Sequence, residues 1–422
     1  MDFFEFETGD STAGIPIRIK NICIPDFHPP GVVILRVILN VGARHDPMGK
    51  EGIAHIMEHL IFEGTEDFPD PGIIESLLRY SMQESFNSDT SHDHTFSMGK
   101  TQKSRLYITM QVLRSMFFFP LLRNQDFVRE RDVIIQEYWE GYVNRHKAAL
   151  QKRVQKDIYF RHRFARLLNV IGTANSLNRI KLEDLMEFHD KYYHIKNASF
   201  VFVGDISMEE AIKFVDVFSD GAPDGEPTIT PEPITSWPVP EIREIQISSE
   251  EDLGIKGAEQ CEITVRRVIP LQRIQIIWVL QKLLTRIFEK IRAEICASYG
   301  VEVKFDNYCD HHLMTITARI NPNCLDRVKE DIAVVFKNLT NNGIYEPKFD
   351  EVMAIMKVNI ALMEVSLHQI AKFAEEDLDR GNRIITLTES REIIEAMTYS
   401  DICQLVNREL SPEQLYWLII KP

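Results

Sequence analysis

The alternation of apolar and polar residues predicts strands and long helices in both halves of the chain. Gly31–Gly42 is β-branched and apolar and is bounded by glycines, which is typical of a buried strand. Ser199–Val203 is a second strand of this kind. Three further stretches have the apolar spacing of helices: Ser104–Phe119, Asp126–Tyr142 and Leu325–Leu339. The pattern predicts an α+β fold.

A proline-rich stretch divides the chain into two parts of similar size. Ser219–Pro240 holds six prolines and two glycines in 22 residues. Because proline lacks a backbone donor and resists helix, this composition favours an extended, solvated connection. We therefore predict an N-terminal domain at residues 1–218, a linker at 219–240 and a C-terminal domain at 241–422.

The two halves share a sequence pattern. Ile180–Phe188 has a counterpart in Met397–Leu405, at an offset of 217 residues. In both segments an Asp precedes an apolar residue, and a strand that contains or follows a Tyr comes next. Repetition at a fixed offset indicates a duplication, so the two domains are predicted to be homologous.

The charge and the cysteines of the chain exclude several classes of protein. The 48 Lys and Arg against 63 Asp and Glu give a net charge of −15, whereas proteins that bind nucleic acid are usually basic. No apolar run of about 18 residues is present, so we expect no membrane partner, and the acidic start contains no secretory signal. The six cysteines form no C-x-x-C pair, which favours free thiols and a cytoplasmic location.

Gly49–Gly64 carries the most informative group of residues. Apolar side chains surround the whole circumference of this predicted helix, which indicates that it is buried. His55 and His59 are four residues apart, so one turn brings both imidazoles to the same face, with the spacing that two zinc ligands need. Glu58 lies about 60° round the helix from His55, close to the metal without ligating it. The order His-x-x-Glu-His is the inverzincin signature; two core histidines bonded to backbone carbonyls are the alternative.

A catalytic zinc has three protein ligands and leaves one position for water, so a third ligand has to come from elsewhere in the chain. Glu130 and Glu137 are seven residues apart and lie on one face of the predicted helix Asp126–Tyr142. The residues alone leave open which of the two is the ligand and which is a supporting carboxylate. A solvated acidic face is the other interpretation, which we adopt for Glu140.

Gly42–Pro69 closely resembles the start of the insulinase/pitrilysin-type zinc peptidases. The family pattern of His-x-x-Glu-His followed by Phe-x-Gly-Thr is met by His55–His59 and Phe62–Thr65. The acidic ligand of the family follows a Glu-Arg-x-Val run, which begins here at Glu130, so the resemblance places the ligand at Glu137 and the supporting carboxylate at Glu130. It also implies two homologous α+β domains, each a mainly antiparallel sheet with packed helices, enclosing a chamber.

Two more segments are similar to substrate-binding parts of this family. Asn87–Phe96 resembles a strand whose edge pairs with an extended substrate, which implies substrate binding at Asn87 and Ser88, with Ser88 in place of the usual Ala. Arg292 and Tyr299 are seven residues apart, like the Arg and Tyr that the non-catalytic half of the family sends over the bound peptide. The residues between them depart from the family pattern.

The resemblance implies a Zn²⁺-dependent endopeptidase that acts on extended or unfolded peptides. Glu58 is expected to be the general base, taking the proton of the attacking water and delivering it to the leaving amine. Glu130 is counted with Glu58 among the catalytic residues because it supports the metal site.

The second half contains no His-x-x-Glu-His. An offset of 221 residues pairs Glu130 with Glu351 and puts Val358 at the position of Glu137, so we predict a degenerate copy that binds no metal. Two alternatives to the enzyme remain: a non-catalytic peptide-binding or assembly subunit of a processing-peptidase-like heterodimer, and a structural zinc site with four protein ligands. The sequence leaves open whether the chain forms a homodimer or pairs with a related subunit.

Overall fold

A computed structural model of the chain describes residues 6–10, 16–21, 30–82, 86–140, 154, 156–159, 163–165, 170–228, 235–250, 259–294, 301–363, 366–378 and 387–422. The strands of the first half are β1 (Phe6–Asp10), β2 (Pro16–Asn21), β3 (Val32–Leu39), β4 (Asn87–Thr90), β5 (Thr95–Gln102) and β6 (Ala198–Gly204). Its helices are α1 (Ile53–Leu60), α2 (Pro71–Met82), α3 (Leu106–Phe118), α4 (Asn124–Tyr138), the short α5 (Ala174–Leu177), α6 (Leu182–Tyr192) and α7 (Met208–Ser219).

The second half has a similar mixture of elements. Its strands are β7 (Glu244–Ser248), β8 (Cys261–Pro270), β9 (Val301–Asn307), β10 (His311–Ile320) and β11 (Tyr416–Lys421). Its helices are α8 (Ile274–Glu294), α9 (Leu325–Asn342), α10 (Glu346–Met363), α11 (Leu367–Leu378), α12 (Leu387–Ala396) and α13 (Tyr399–Glu409). Each element predicted from the apolar pattern is present, with ends shifted by up to four residues because capping contacts, and not apolar spacing, set the ends.

The first sheet has the strand order β1-β2-β6-β3-β5-β4. All neighbouring strands in it are antiparallel except β2 and β6, which are parallel. Val33, Leu35 and Val37 of β3 pack into the helical core on one face of the sheet, and the residues between them are buried too. This burial on both faces explains why β3 is a continuous apolar run and does not alternate.

The second sheet has the order β7-β11-β8-β10-β9, with β7 and β11 as its one parallel pair among the strands described. Apart from the extra β1, this order matches the first sheet strand for strand. Helices α6 and α13, which precede the equivalent strands β6 and β11, both begin with a capping box, closed by Asp184 and Asp401. Their first residues are 217 apart, so the duplication read from the sequence is present in the fold.

The structure divides the chain into two compact units in a different way from the predicted domain boundaries. Unit 1 consists of residues 1–141, 169–230 and 363–386, and unit 2 of residues 142–168, 231–362 and 387–422. Each half therefore gives one segment to the unit built mainly by the other half. In unit 1, α11 from the second half packs on β3 and β6, with Ile370 and Ala371 fully buried.

The described residues between Ser219 and Glu244 form neither helix nor strand, as expected for the linker. One part of it is not solvated, however. Trp237 is buried in unit 2, where its ring centre lies 5.6 Å from that of Tyr159 and 4.8 Å from that of His311. A large indole has more to gain from burial than a proline-rich backbone loses, so this residue anchors the linker to the second sheet.

Helix α1 is fixed at its N-terminus by backbone geometry. The carboxylate of Asp46 accepts hydrogen bonds from the backbone N–H groups of Gly52 (2.7 Å) and Ala54 (3.2 Å), which replaces a side-chain cap. Gly52 (φ 103°) and Gly172 (φ 83°) lie against each other's chains, and a Cβ on Gly172 would be 2.0 Å from the carbonyl oxygen of Glu51. Only glycine fits this close approach, which holds α1 in place.

None of the helices in the described ranges combines the length and the apolar character that crossing a membrane requires.

Candidate metal centre

Two packed helices of unit 1 bring three metal-ligating side chains together. His55 and His59 lie on one face of α1, with their ring centres 4.8 Å apart and the rings nearly perpendicular. Helix α4 packs against α1 and carries Glu137. One ligand atom from each of His55, His59 and Glu137 lies within 4.8 Å of the others, and no other group of three His, Cys, Asp or Glu in the described part of the chain meets this distance.

The two candidate acidic residues of α4 lie at opposite nitrogens of the His59 ring. Glu130 Oε2 is 3.2 Å from Nδ1, a hydrogen-bond distance, whereas Glu137 Oε1 is 4.0 Å from Nε2. The Glu137 side chain is 41% exposed and that of Glu130 only 12%. With a proton on Nδ1 donated to Glu130, the lone pair of Nε2 points to the side where Glu137 and His55 lie. The geometry therefore separates a ligand position at Glu137 from a supporting position at Glu130.

Glu58 is buried beside the three-residue cluster. Its Oε2 is 3.9 Å from Nε2 of His55 and accepts a hydrogen bond of 3.1 Å from the hydroxyl of Thr90. Burial raises the pKa of Glu58 above its ordinary value, and the nearby Asp89 and Glu137 add to this, while His59 and the Thr90 hydroxyl act in the opposite direction. A carboxylate with a raised pKa beside a metal cluster is suited to moving a proton.

His55 is held as a neutral imidazole. Burial, with a smaller effect of His59, lowers its pKa from 6.5 to about 3. Its Nδ1 is buried and has no hydrogen-bond partner among the residues described. The ring is thus positioned by packing and keeps its lone pairs at neutral pH, as a metal ligand requires.

Glu130 is itself oriented by a charged network on the outer side of α4. Arg129 donates from Nε to Glu130 Oε1 at 3.2 Å and from Nη1 to Asp126 Oδ1 at 3.1 Å, and it also pairs with Glu63. One guanidinium therefore holds carboxylates from α4 and from the end of the α1 segment. This fixes the oxygen that faces His59.

The residues present fit a zinc ion. Two neutral imidazoles and one carboxylate are the donor set of a catalytic zinc site, which leaves a fourth position for water. The supporting carboxylate on the outer nitrogen of His59 is the usual accompaniment of a metal-binding imidazole. The unpartnered Nδ1 of His55 adds a buried polar atom that protein hydrogen bonds leave unsatisfied.

The predicted substrate-binding residues are only partly visible. Asn87 and Ser88 lie on β4, the last strand of the first sheet, which pairs only with β5 among the strands described. Asn87 is exposed, whereas Ser88 turns to β5 and donates to the carbonyl oxygen of Phe96 at 2.9 Å. The side chain of Arg292, near the end of α8, and the whole of Tyr299 lie outside the described residues.

Sequence reasoning missed two side chains of the site. Thr90 and Arg129 both lie in segments that had been singled out, Asn87–Phe96 and the α4 helix, but neither residue type suggests metal chemistry. For Thr90 a signal was available: in a strand, residues two apart share a face, so Thr90 shares the face of Ser88. For Arg129 no spacing rule points to Glu130, its direct neighbour.

Comparisons with known proteins follow the two halves of the chain. Residues 25–169 match Insulinase (Peptidase family M16), and residues 179–356 match the Peptidase M16 inactive domain. Together these ranges cover most of the chain. The inactive-domain match agrees with the lack of a His-x-x-Glu-His in the second half.

Individual relatives have the same character. The chain is 27% identical to the zinc protease PqqE of Helicobacter pylori over 201 residues, which are 47% of this chain and only 44% of PqqE. It is 23% identical to the uncharacterized zinc protease YmxG of Bacillus subtilis over 399 residues, 92% of this chain and 93% of YmxG. The crystal structure of a protease from Helicobacter pylori covers both chains completely, with a TM-score of 0.84 at 19% identity, and so confirms the two-domain α+β fold. The chain belongs to the insulinase family of peptidases, M16.

Proposed function

We propose that the chain is a zinc-dependent endopeptidase that hydrolyses extended or unfolded peptides. The observation that carries this proposal is the convergence of His55, His59 and Glu137 within 4.8 Å, with the buried carboxylate of Glu58 beside them. Membership of a peptidase family supports it. The cytoplasmic location and the enclosed chamber stay predictions from the sequence and its resemblance.

His55, His59 and Glu137 would hold the zinc ion. When bound there, zinc supplies Lewis acidity, which brings the pKa of water from 15.7 towards about 7 and polarises the substrate carbonyl. Glu130 holds the His59 ring through Nδ1 at 3.2 Å, so that Nε2 keeps its lone pair. His55, with its pKa lowered to about 3, needs no deprotonation before it binds.

Glu58 moves the protons. Its carboxylate accepts the proton of the attacking water and then delivers it to the nitrogen of the leaving amine. Burial raises the pKa of Glu58, which makes this carboxylate a better base than an exposed glutamate and an effective acid in the second step.

The free edge of β4 supports binding of an extended peptide. A peptide that pairs with this edge gains main-chain hydrogen bonds without requiring a particular sequence. Asn87 is exposed on this strand, and Thr90 at its end contacts Glu58. An unfolded segment bound in this way would pass close to the metal cluster.

The non-catalytic subunit and the structural zinc site are tested by the same experiment. A quenched fluorescent peptide is incubated with the zinc-loaded chain, with the chain after treatment with a strong chelator, and with the treated chain after zinc is restored; zinc content is measured in parallel. We expect cleavage, its loss and its recovery, with one zinc per chain in the active samples. Zinc binding without cleavage would favour the subunit or the structural site, and cleavage that resists complete zinc removal would contradict the mechanism.

A further inference from the structure

Thr90 is the last residue of β4 and is buried, with 4% of its surface exposed. Its register partner on β5 is Thr95, which is fully buried. The two hydroxyl oxygens are 3.4 Å apart, and Thr90 Oγ1 is 3.1 Å from Oε2 of Glu58. Thr90 thus connects the edge strand to the carboxylate that the proposed function uses as its base.

The hydroxyl proton of Thr90 is directed to Glu58. Thr95 donates its own proton to the carbonyl oxygen of Val41 at 2.9 Å, so towards Thr90 it can only accept. Thr90 therefore has one proton and two acceptors, of which the carboxylate of Glu58 is both nearer and charged. Among the described residues no other group donates a hydrogen bond to Glu58.

The backbone of Thr90 faces the open edge of the sheet. Ser91 N donates to His94 O at 2.8 Å, so Ser91 and His94 form a hydrogen-bonded pair at the start of the ladder between β4 and β5. Hydrogen-bonded and non-hydrogen-bonded pairs alternate along an antiparallel ladder, so the next pair, Thr90 and Thr95, is not hydrogen-bonded. The N–H and C=O of Thr90 therefore point away from β5, to the side where an added peptide strand would lie.

We propose that Thr90 is a positioning residue that fixes the carboxylate of Glu58 relative to a peptide paired with β4. This proposal rests on the proposed function. The main chain of Thr90 contributes to the edge that holds the peptide, and its hydroxyl holds the base, so one residue sets the distance between the bound peptide and the proton acceptor. Its hydroxyl should affect the chemical step, and its backbone should affect binding.

The test compares substitutions at Thr90 in the full zinc-loaded chain. Thr90→Val keeps the branched shape and the backbone but removes the hydroxyl, and we expect kcat to fall about 10- to 100-fold, as for loss of a hydrogen bond to a charged group. KM should change less than about threefold and zinc content should not change, since neither the backbone nor the three ligands are altered. Thr90→Ser restores the hydroxyl and should keep kcat within about threefold of the wild type.

A matched control separates this role from the general loss of a buried hydroxyl. Thr101 on β5 is also buried and donates to the carbonyl oxygen of Ser81 at 2.7 Å, so Thr101→Val should leave kcat nearly unchanged. Thr90→Ala is measured as well and carries the comparison if Thr90→Val does not fold, which thermal unfolding reports.

Several outcomes would overturn the proposal: wild-type kcat in Thr90→Val or Thr90→Ala, a Thr90→Ser variant as slow as Thr90→Val, or an equal loss in Thr101→Val. A slow Thr90→Val that has also lost its zinc would overturn it too, because the effect would then be on the metal site. A wild-type chain that does not cleave peptide overturns the proposed function together with this one. A zinc-dependent wild type with an equally active Thr90→Val overturns the role of Thr90 alone.

Discussion

Glu58→Gln is expected to reduce kcat/KM for a quenched peptide by about 10²- to 10⁴-fold, the range that general acid–base catalysis contributes. The amide has nearly the shape of the carboxylate and can still accept the Thr90 hydrogen bond, but it cannot take a proton from water. Because Glu58 is not among the three residues of the metal cluster, the variant should still bind one zinc per chain. The measurement is peptide cleavage together with zinc content.

The control for this variant is Glu66→Gln, an exposed glutamate that follows the α1 segment. It makes the same chemical change at a short distance along the chain and should stay within about twofold of the wild type, as surface substitutions usually do. Full activity in Glu58→Gln would show that another group is the base. Loss of zinc in Glu58→Gln would show that this carboxylate belongs to the metal site.

Glu137→Gln is expected to give the second large effect, on zinc itself. It replaces the anionic ligand by a neutral amide, so the affinity for zinc should fall further than the ~10- to 100-fold that loss of a supporting carboxylate costs. Glu130→Gln should show that smaller loss, because Glu130 contacts the outer nitrogen of His59 at 3.2 Å and does not belong to the three-residue cluster. Competition with a chelator of known zinc affinity measures both.

Glu140→Gln is the matched control, since Glu140 follows α4 directly and is exposed. Its zinc affinity should equal that of the wild type. If Glu130→Gln lost zinc more completely than Glu137→Gln, the two assignments would have to be exchanged. Equal and small losses in both would place the third ligand elsewhere.

The sequence was sufficient to predict the main elements of the fold. β3 and β6 were predicted because strands buried on both faces are apolar throughout, and the repeat near residue 180 correctly indicated two sheets with a common strand order. The exchange of residues 142–168 and 363–386 between the two units was not predictable. Apolar spacing shows that one face of a helix such as α11 is buried, but it does not show against which sheet.

For the site, local spacing determined part of the answer and tertiary contacts determined the rest. Four residues on one helix necessarily bring His55 and His59 to one face, so this pair follows from the sequence. Glu130 and Glu137 also share a face of α4, so spacing could not separate them. The separation depends on where α1 crosses α4, which puts them at different nitrogens of one ring.

The central claim is that His55, His59 and Glu137 bind one zinc ion. Diffraction data collected at the zinc absorption edge from crystals of the zinc-loaded chain test it most directly. We predict one strong anomalous peak, about 2.0–2.2 Å from a nitrogen of each histidine and an oxygen of Glu137. A peak at other residues, or these three side chains turned apart with no peak between them, would contradict the claim.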